Sequence, residues 1–332
     1  MDFSLKNKEI SNDKWHKLLD GSAYSSPFQT PKFLEFFNAL ENFSSDVFAI
    51  EVDGEYKALV VLTIQKELGV KSYFSRRGII YGGPLVIDNG QDYLEKLLNE
   101  VTTFYKRKLI YIETRNYFDY SLFNTQFQSA KFKYIPWLNF HLDTSSDIAV
   151  IKKSMSSSRL RQVKKALKNG AVWKEAECEE DVAAFYEILL DLYKNKIKKP
   201  LFSKDFFLEF YKKKTGKYLL VYYEDTVIGG IVCPIMSGKA IYEFYVCGLD
   251  SEYKNQFPSV MATWAAIEYA NVNKIPLFDF MGAGNPNEGY GVREFKSRFG
   301  GEQVEHGRYL NILNPFLYKI GEIGLNVLSK LK

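Results

Sequence analysis

Apolar positions along this chain switch between two spacings, and the switches mark its elements. Between Asp46 and Gln65 they gather into two runs, 47–52 and 56–64, on either side of Asp53-Gly54. That dipeptide tolerates the left-handed backbone of a tight turn, so the stretch predicts a hairpin. Ser72 to Val86 predicts further strands, with Arg76-Arg77 beside Gly78. From Tyr93 to Lys108 the spacing becomes three and four: Leu94, Leu97, Leu98, Val101, Phe104 and Tyr105 form one helical stripe. Leu109 to Glu113 then predicts a strand, running out into Thr114-Arg115-Asn116. Upstream, Trp15, Leu18 and Leu19 share a face of a short helix. Thr30-Pro31 is a cap followed by a first helical residue, ahead of Phe33, Phe36, Phe37 and Leu40.

The second half repeats this order. Tyr218–Tyr223 and Val227–Ile235 flank Glu224-Asp225-Thr226. Ala240 to Val246 predicts a strand, Pro258 opens a helix reaching about Asn271, and Pro276 to Met281 predicts the next strand. Hairpin, strand, helix, strand thus occurs twice, about 170 residues apart, which points to a duplicated α/β unit. The expected domains are residues 1–146 and 147–332. The second is expected to include a basic helix and a C-terminal helix from Pro315, with Phe316, Leu317, Ile320, Ile323, Val327, Leu328 and Leu331, packed back on the body.

Charge changes the picture between the two copies. Ile148 to Lys174 carries Lys152, Lys153, Arg159, Arg161, Lys164, Lys165, Lys168 and Lys174, with no acid between Asp147 and Glu175. Leu160, Val163 and Leu167 give it a narrow apolar seam, and Ser154, Ser156, Ser157 and Ser158 are candidate caps. Like charges three or four apart on a helix repel. A one-signed helix at a domain junction therefore points to a phosphate-bearing partner, against the plainer reading of a solvated face. Lys194 to Pro200 is a second basic loop, and a Ser203 cap is expected before Phe206, Phe207, Phe210 and Tyr211.

Composition adds limits. The 332 residues suffice for two cores, and a net charge of +4 confines anion binding to local clusters. Cys178, Cys233 and Cys247 are too few for a disulfide framework, and with His16, His141 and His306 they show no metal-ligand spacing, so no metal is expected. The opening residues lack a signal pattern, and no run reaches the roughly 18 apolar residues of a membrane span. A cytoplasmic protein is expected, with contact at the inner face of the membrane open through the C-terminal helix, which shares Lys319, Lys330 and Lys332.

The stretch with most chemistry is Pro276 to Gly301. An apolar strand carries Asp279, a glycine-rich loop runs from Gly282 to Gly289 and includes Glu288, and Gly291 to Phe299 offers Arg293, Phe295, Lys296 and Arg298. A buried acid, a permissive loop and a cationic-aromatic segment suit an acyl- or phosphoryl-bearing ligand. A strand, a turn and solvated charges is the plain alternative.

Taken together, these features resemble the Fem family of peptidoglycan aminoacyltransferases. The likeness rests on Ser26-Pro27-Phe28-Gln29-Thr30, Gly78 to Val86, the basic helix ending Lys164-Lys165-Ala166-Leu167-Lys168-Asn169-Gly170, and Ile241-Tyr242-Glu243-Phe244-Tyr245. Its most specific part is Asp279-Phe280-Met281-Gly282 followed by Gly291-Val292-Arg293-Glu294-Phe295-Lys296. The resemblance implies an α/β (α+β) fold of two tandem GNAT-like domains, mixed sheets flanked by helices. It implies transfer of an amino acid from aminoacyl-tRNA, as co-substrate, to an amine of a lipid- or nucleotide-linked peptidoglycan precursor, with no further cofactor. It places Lys296 near the reacting ester and Phe295 beside the terminal base of the tRNA. Lys168, with Lys164, Lys165 and Arg161, falls toward the precursor's diphosphate, and Tyr245 at a substrate contact. The lysine that family members carry after the N-terminal motif has no counterpart in register, because Lys32 is displaced.

Aminolysis of an ester needs a cation for the oxyanion, a role open to Lys296. It also needs a proton acceptor, for which Asp279, Glu243 and Glu288 are candidates; Asp279 is equally readable as a strand-end acid paired with backbone or Arg293. No nucleophile–histidine pairing stands out, so no covalent acyl-enzyme is expected. Two alternatives stay open. An acyl-CoA-dependent N-acyltransferase needs a pyrophosphate cradle of backbone amides, and Tyr253 to Ser259 offers no glycine and includes Pro258. A non-catalytic RNA- or anion-binding module is the other.

Overall fold

The Asp53-Gly54 turn forms as its residue types dictate. Asp53 has φ +50° and Gly54 φ +80°, and they join β2 (Phe43–Val52) to β3 (Glu55–Gln65) in antiparallel register. The computed structural model that shows this describes residues 2–67 and 75–330. Of the strand expected from Ser72, the part at 72–74 lies outside the described residues, as does Leu331.

The chain divides into two units. The first comprises Met1–Pro136 with His306–Lys332, and the second Trp137–Glu305. The expected boundary at 146 and the placing of the C-terminal helix in the second domain are thereby corrected. Two strands explain the shift. Strand β8 (Leu138–Asp143) pairs with strands of the second unit, and β16 (Arg308–Ile312) with strands of the first. The sequence offers no break there, because an apolar strand near a junction reads alike for either sheet.

In the first unit the strand order is β1 (Asp2–Lys6), β2, β3, β4 (Arg77–Gly82), β6 (Tyr111–Asn116), β16 and β7 (Lys133–Ile135), with β5 (Leu85–Val86) on β3. Helix α3 (Gln91–Tyr105) lays the predicted stripe on one face. Leu94, Leu97, Leu98, Val101 and Tyr105 are buried there against Leu62, Ile80 and Ile112. Phe104 is at the edge, 37% exposed. On the other face Phe28 and Phe37, the latter on α2 (Pro31–Asn38), stack on Tyr81. Thr30 caps α2 through the Phe33 amide, as its sequence predicts.

The second unit's order is β15 (Glu302–Glu305), β8, β14 (Leu277–Asp279), β12 (Ala240–Tyr242), β11 (Thr226–Met236), β10 (Gly216–Tyr223) and β9 (Val172–Glu175), with β13 (Tyr245–Gly248) on β11. Helix α9 (Pro258–Val272) is apolar nearly all round and buried accordingly. The duplication is visible in topology: each unit has its antiparallel hairpin and one parallel pair, β4 with β6 and β12 with β14.

The basic stretch is two helices, α5 (Ile148–Ser154) and α6 (Ser157–Lys168), with Ser156 capping the second through the Arg159 amide. The buried seam of α6 differs from the expected one. Val163 and Ala166 are inside, Leu167 is 45% exposed, and Arg159 takes an interior place at 3%. Ser203 precedes α8 (Lys204–Lys212) without a side-chain cap bond. Among the described residues, no helix is long and apolar enough to cross a membrane.

Candidate active site

The site begins where a strand pair opens. Parallel strands β4 and β6 stay in register for six residue pairs, Arg77–Tyr111 to Gly82–Asn116. Their counterparts β12 and β14 pair only from Ala240–Leu277 to Tyr242–Asp279. Beyond that point β13 pairs with β11, and Phe280 donates its amide to the Phe140 carbonyl on the opposite side. The carbonyls following β14 would be left without strand partners, at a cost of about 1–3 kcal/mol each if buried.

Lys296 fills the opening. It lies on α10 (Gly291–Ser297), is 7% exposed, and directs Nζ at the Phe280 carbonyl (2.5 Å), the Gly282 carbonyl (3.0 Å) and Glu243 Oε1 (2.9 Å). Three acceptors match the three donors of an ammonium. Glu243, at the end of β12, donates its amide to the Asp279 carbonyl and takes a longer bond from Thr263 Oγ1 at 3.4 Å. Burial pushes the Glu243 carboxyl above its ordinary pKa, and the Lys296 charge only partly offsets that.

Asp279 is buried beside this pair. Its Oδ1 accepts from Asn139 Nδ2 (2.7 Å) and the Met281 amide (2.6 Å), and Oδ2 meets His141 Nε2 at 3.1 Å. Burial alone would raise its pKa, but these bonds outweigh burial and hold the carboxyl below the usual range. For His141 burial again opposes the outcome, and the Asp279 bond and charge raise its pKa. Asn139 Oδ1 also takes the Gly282 amide (2.7 Å), so β8 anchors the loop. Met281 has φ +54°, a backbone state rare for its residue type, and it is held there by the Asp279 bond.

Lys296, Glu243 and Asp279 are thus brought together, and Asp279 pairs with His141, Asn139 and backbone instead of Arg293. Arg293 clamps the glycine-rich loop, donating Nε to the Ala283 carbonyl (2.9 Å) and Nη2 to that of Asn285. Glu288 is exposed on that loop. Phe295 packs edge-on to Phe299, and the buried Arg159 guanidinium lies 4.3 Å from the Phe295 ring centroid and donates Nη2 to the Phe295 carbonyl. Tyr245 stands among Phe207, Phe244, Phe202 and Tyr193. Arg161, Lys164, Lys165 and Lys168 are exposed, and none forms an ion pair among the described residues. Sequence reasoning missed His141, Asn139 and Arg159. The first two alternate with buried Phe140 and Leu142 on β8, a signal readable only once β8 is known to lie beside β14.

The start of α9 is already occupied. The Ser259 amide donates to Asp250 Oδ1 (3.1 Å), Phe257 has φ +45°, and a Cβ placed on Gly248 would come within 2.4 Å of the Ser259 nitrogen. Strand β13 therefore presses directly on the helix's first turn.

Known proteins agree with this architecture. Residues 156–297 match the acetyltransferase (GNAT) domain model. No curated protein matches significantly. Among solved structures, FemX superposes with a TM-score of 0.75 at 15% identity, covering 95% of this chain and 99% of FemX. The C-terminal domain of a putative lysylphosphatidylglycerol synthetase from Agrobacterium fabrum gives 0.59 at 11%, covering 96% and 97%. A tandem GNAT protein from the clavulanic acid biosynthesis pathway gives 0.59 at 9%, covering 95% and 99%. This chain shares its fold with FemX and with the tandem GNAT protein, and the stretch of the second unit from 156 to 297 matches the GNAT acetyltransferase domain model.

Proposed function

We propose that this acyltransferase moves an amino acid from aminoacyl-tRNA to an amine of a peptidoglycan precursor. The observation that carries the reading is Lys296, an ammonium held in the opening between β12 and β14 beside a carboxylate of raised pKa. The likeness to FemX supports the choice of donor and acceptor.

In this reading the acceptor amine attacks the ester carbonyl of the aminoacyl group. A carbon–nitrogen bond forms, and the carbon–oxygen bond to the ribose breaks. Lys296 exchanges one backbone carbonyl for the oxyanion of the tetrahedral intermediate, a contribution of about 10²–10³ in rate for one such donor. Glu243 accepts the amine's proton, and the proton leaves with the ribose hydroxyl. Asp279, held low by its three donors, fixes the loop and is a weaker base. Arg161, Lys164, Lys165 and Lys168 offer a phosphate-binding face, and Phe295, Tyr245, Arg293 and Glu288 border the ligand.

A CoA thioester is the rival donor. Asp250 on the Ser259 amide puts a negative charge where a pyrophosphate would have to lie. This supports a donor other than CoA. The test is turnover with a panel of charged tRNAs and with acetyl-CoA, using a nucleotide- or lipid-linked muropeptide as acceptor. Transfer from one charged tRNA is expected. Acetyl transfer without tRNA overturns the reading.

A further inference from the structure

We infer that Arg159 is a positioning residue for the transfer step, holding the α10 turn from which Lys296 reaches its three acceptors. This rests on Lys296 as the ammonium of the reaction. Helix α10 is seven residues long, too short to keep its shape unaided, so its surroundings decide where Lys296 points. Arg293 holds its leading end to the glycine-rich loop, through the Ala283 and Asn285 carbonyls. The trailing end is held from α6. The Ser156 amide donates to the Arg298 carbonyl (3.0 Å), and Arg159 Nη2 donates to the Phe295 carbonyl (3.0 Å).

The second of these bonds falls on the peptide that joins Phe295 to Lys296. Phe299, four residues beyond Phe295, gives its amide to the Lys296 carbonyl (3.0 Å), which leaves the Phe295 carbonyl to a donor from outside the helix. Arg159 is that donor, and its Nη1 is fixed in turn on Gln162 Oε1 (2.9 Å). The same guanidinium touches the frame that receives the ammonium. It lies 4.3 Å from the Phe295 ring centroid and 4.5 Å from that of Phe299, and Phe299 packs on Phe280 with ring centroids 6.2 Å apart. The Phe280 carbonyl takes Lys296 Nζ at 2.5 Å. Arg159 therefore bears on both ends of that bond: on the turn that carries the donor and, through Phe299, on the residue that carries the acceptor.

Packing alone does not call for a charge here. Arg159 is 3% exposed and forms no ion pair among the described residues. Burial, and then the Arg298 charge, pull its pKa down to about 10, with Asp250 opposing. Burying a charge without a counter-ion is costly, and an apolar side chain of similar volume in such a place is generally neutral or stabilising. What the guanidinium supplies and a methionine does not is a donor directed at the peptide before Lys296. A displacement of about 1 Å at a reacting group can slow a reaction about 10²-fold.

The experiment compares the native chain with Arg159→Met by three measurements. They are the ¹H–¹⁵N correlation signal of the Lys296 ammonium, the thermal midpoint, and kcat and KM for transfer from charged tRNA. The ammonium signal is assigned by its loss when Lys296→Met is combined with Glu243→Gln. In Arg159→Met the thermal midpoint is expected to hold while the ammonium signal shifts and exchanges faster with water. The kcat is expected to fall roughly 10- to 10²-fold with KM nearly unchanged. Arg159→Leu serves the same test should the methionine variant fail to fold. A native ammonium signal in a folded variant overturns the inference, as does a loss confined to KM or a lowered thermal midpoint with kcat unchanged. Should the native chain transfer nothing from charged tRNA, the proposed donor fails, and the ammonium signal still decides whether Arg159 positions Lys296.

Discussion

Lys296 carries two roles that a single substitution would confuse. It completes an open strand pair and presents the site's cation, and removing one partner of a buried ion pair costs about 3–5 kcal/mol. Lys296→Met is therefore expected to lose both turnover and thermal stability, because the buried Glu243 loses its ion-pair partner and keeps only the long Thr263 bond. Adding Glu243→Gln removes the orphaned charge. The double variant is expected to recover most of the thermal midpoint in calorimetry while turnover stays at least 10²-fold down. Recovery of turnover with stability would reduce Lys296 to a fold element. His141 gives a pH test with a fixed sign. Its folded pKa lies above the ordinary value, so its bond to Asp279 contributes stability below roughly pH 6.5 and loses it as pH rises through the folded value. Thermal midpoints of the native chain and His141→Gln are expected to differ most in mildly acidic buffer and to converge in alkaline buffer. A gap that widens with pH contradicts the assignment.

At the scale of elements, Arg159 shows why part of the site was hidden in the sequence. Its neighbours Lys152, Arg161 and Lys164 made it look like one more surface cation. Its position on α6 instead turns it inward, between the Phe295 and Phe299 rings, with Nε unbonded and its pKa pulled down to about 10 by burial and then by Arg298. A charge so placed ties α6 to α10. Arg159→Ala is expected to speed amide exchange across 291–299 before the remainder of the second unit, as mass spectrometry would detect. Uniform exchange would deny the link. Elements defined by local rules were legible: the Asp53-Gly54 turn, the Thr30 cap, the α3 stripe and the Pro258 start of α9. Lys296, Glu243 and Asp279, singled out by the order of motifs around them, do lie together in the fold. What sequence could not supply was the pairing of distant strands. His141 faces Asp279 only because β8 joins β14 across 138 positions of chain, and no periodicity encodes that meeting.

At the scale of the molecule, the first unit is made of two pieces of sequence. Strand β16 returns from the far end to pair with β6 and β7, and Tyr309 lies flat on Phe127 with ring centroids 3.8 Å apart. Residues 137–305 expressed alone are expected to unfold cooperatively, since they contain their whole sheet. Residues 1–136 alone are expected to lack a sharp thermal transition; a cooperative one would show β16 to be dispensable. The same arrangement sets an order of events at the ribosome. The opening segment emerges first yet cannot close its sheet until the final strand is made. At about 5–20 residues per second, that wait is roughly ten to thirty seconds. The later-made unit is thus the earlier to finish. Through that interval the β6 edge stands unpaired, a template for intermolecular strand addition, which makes the newborn amino-terminal half the part of this protein most in need of a chaperone.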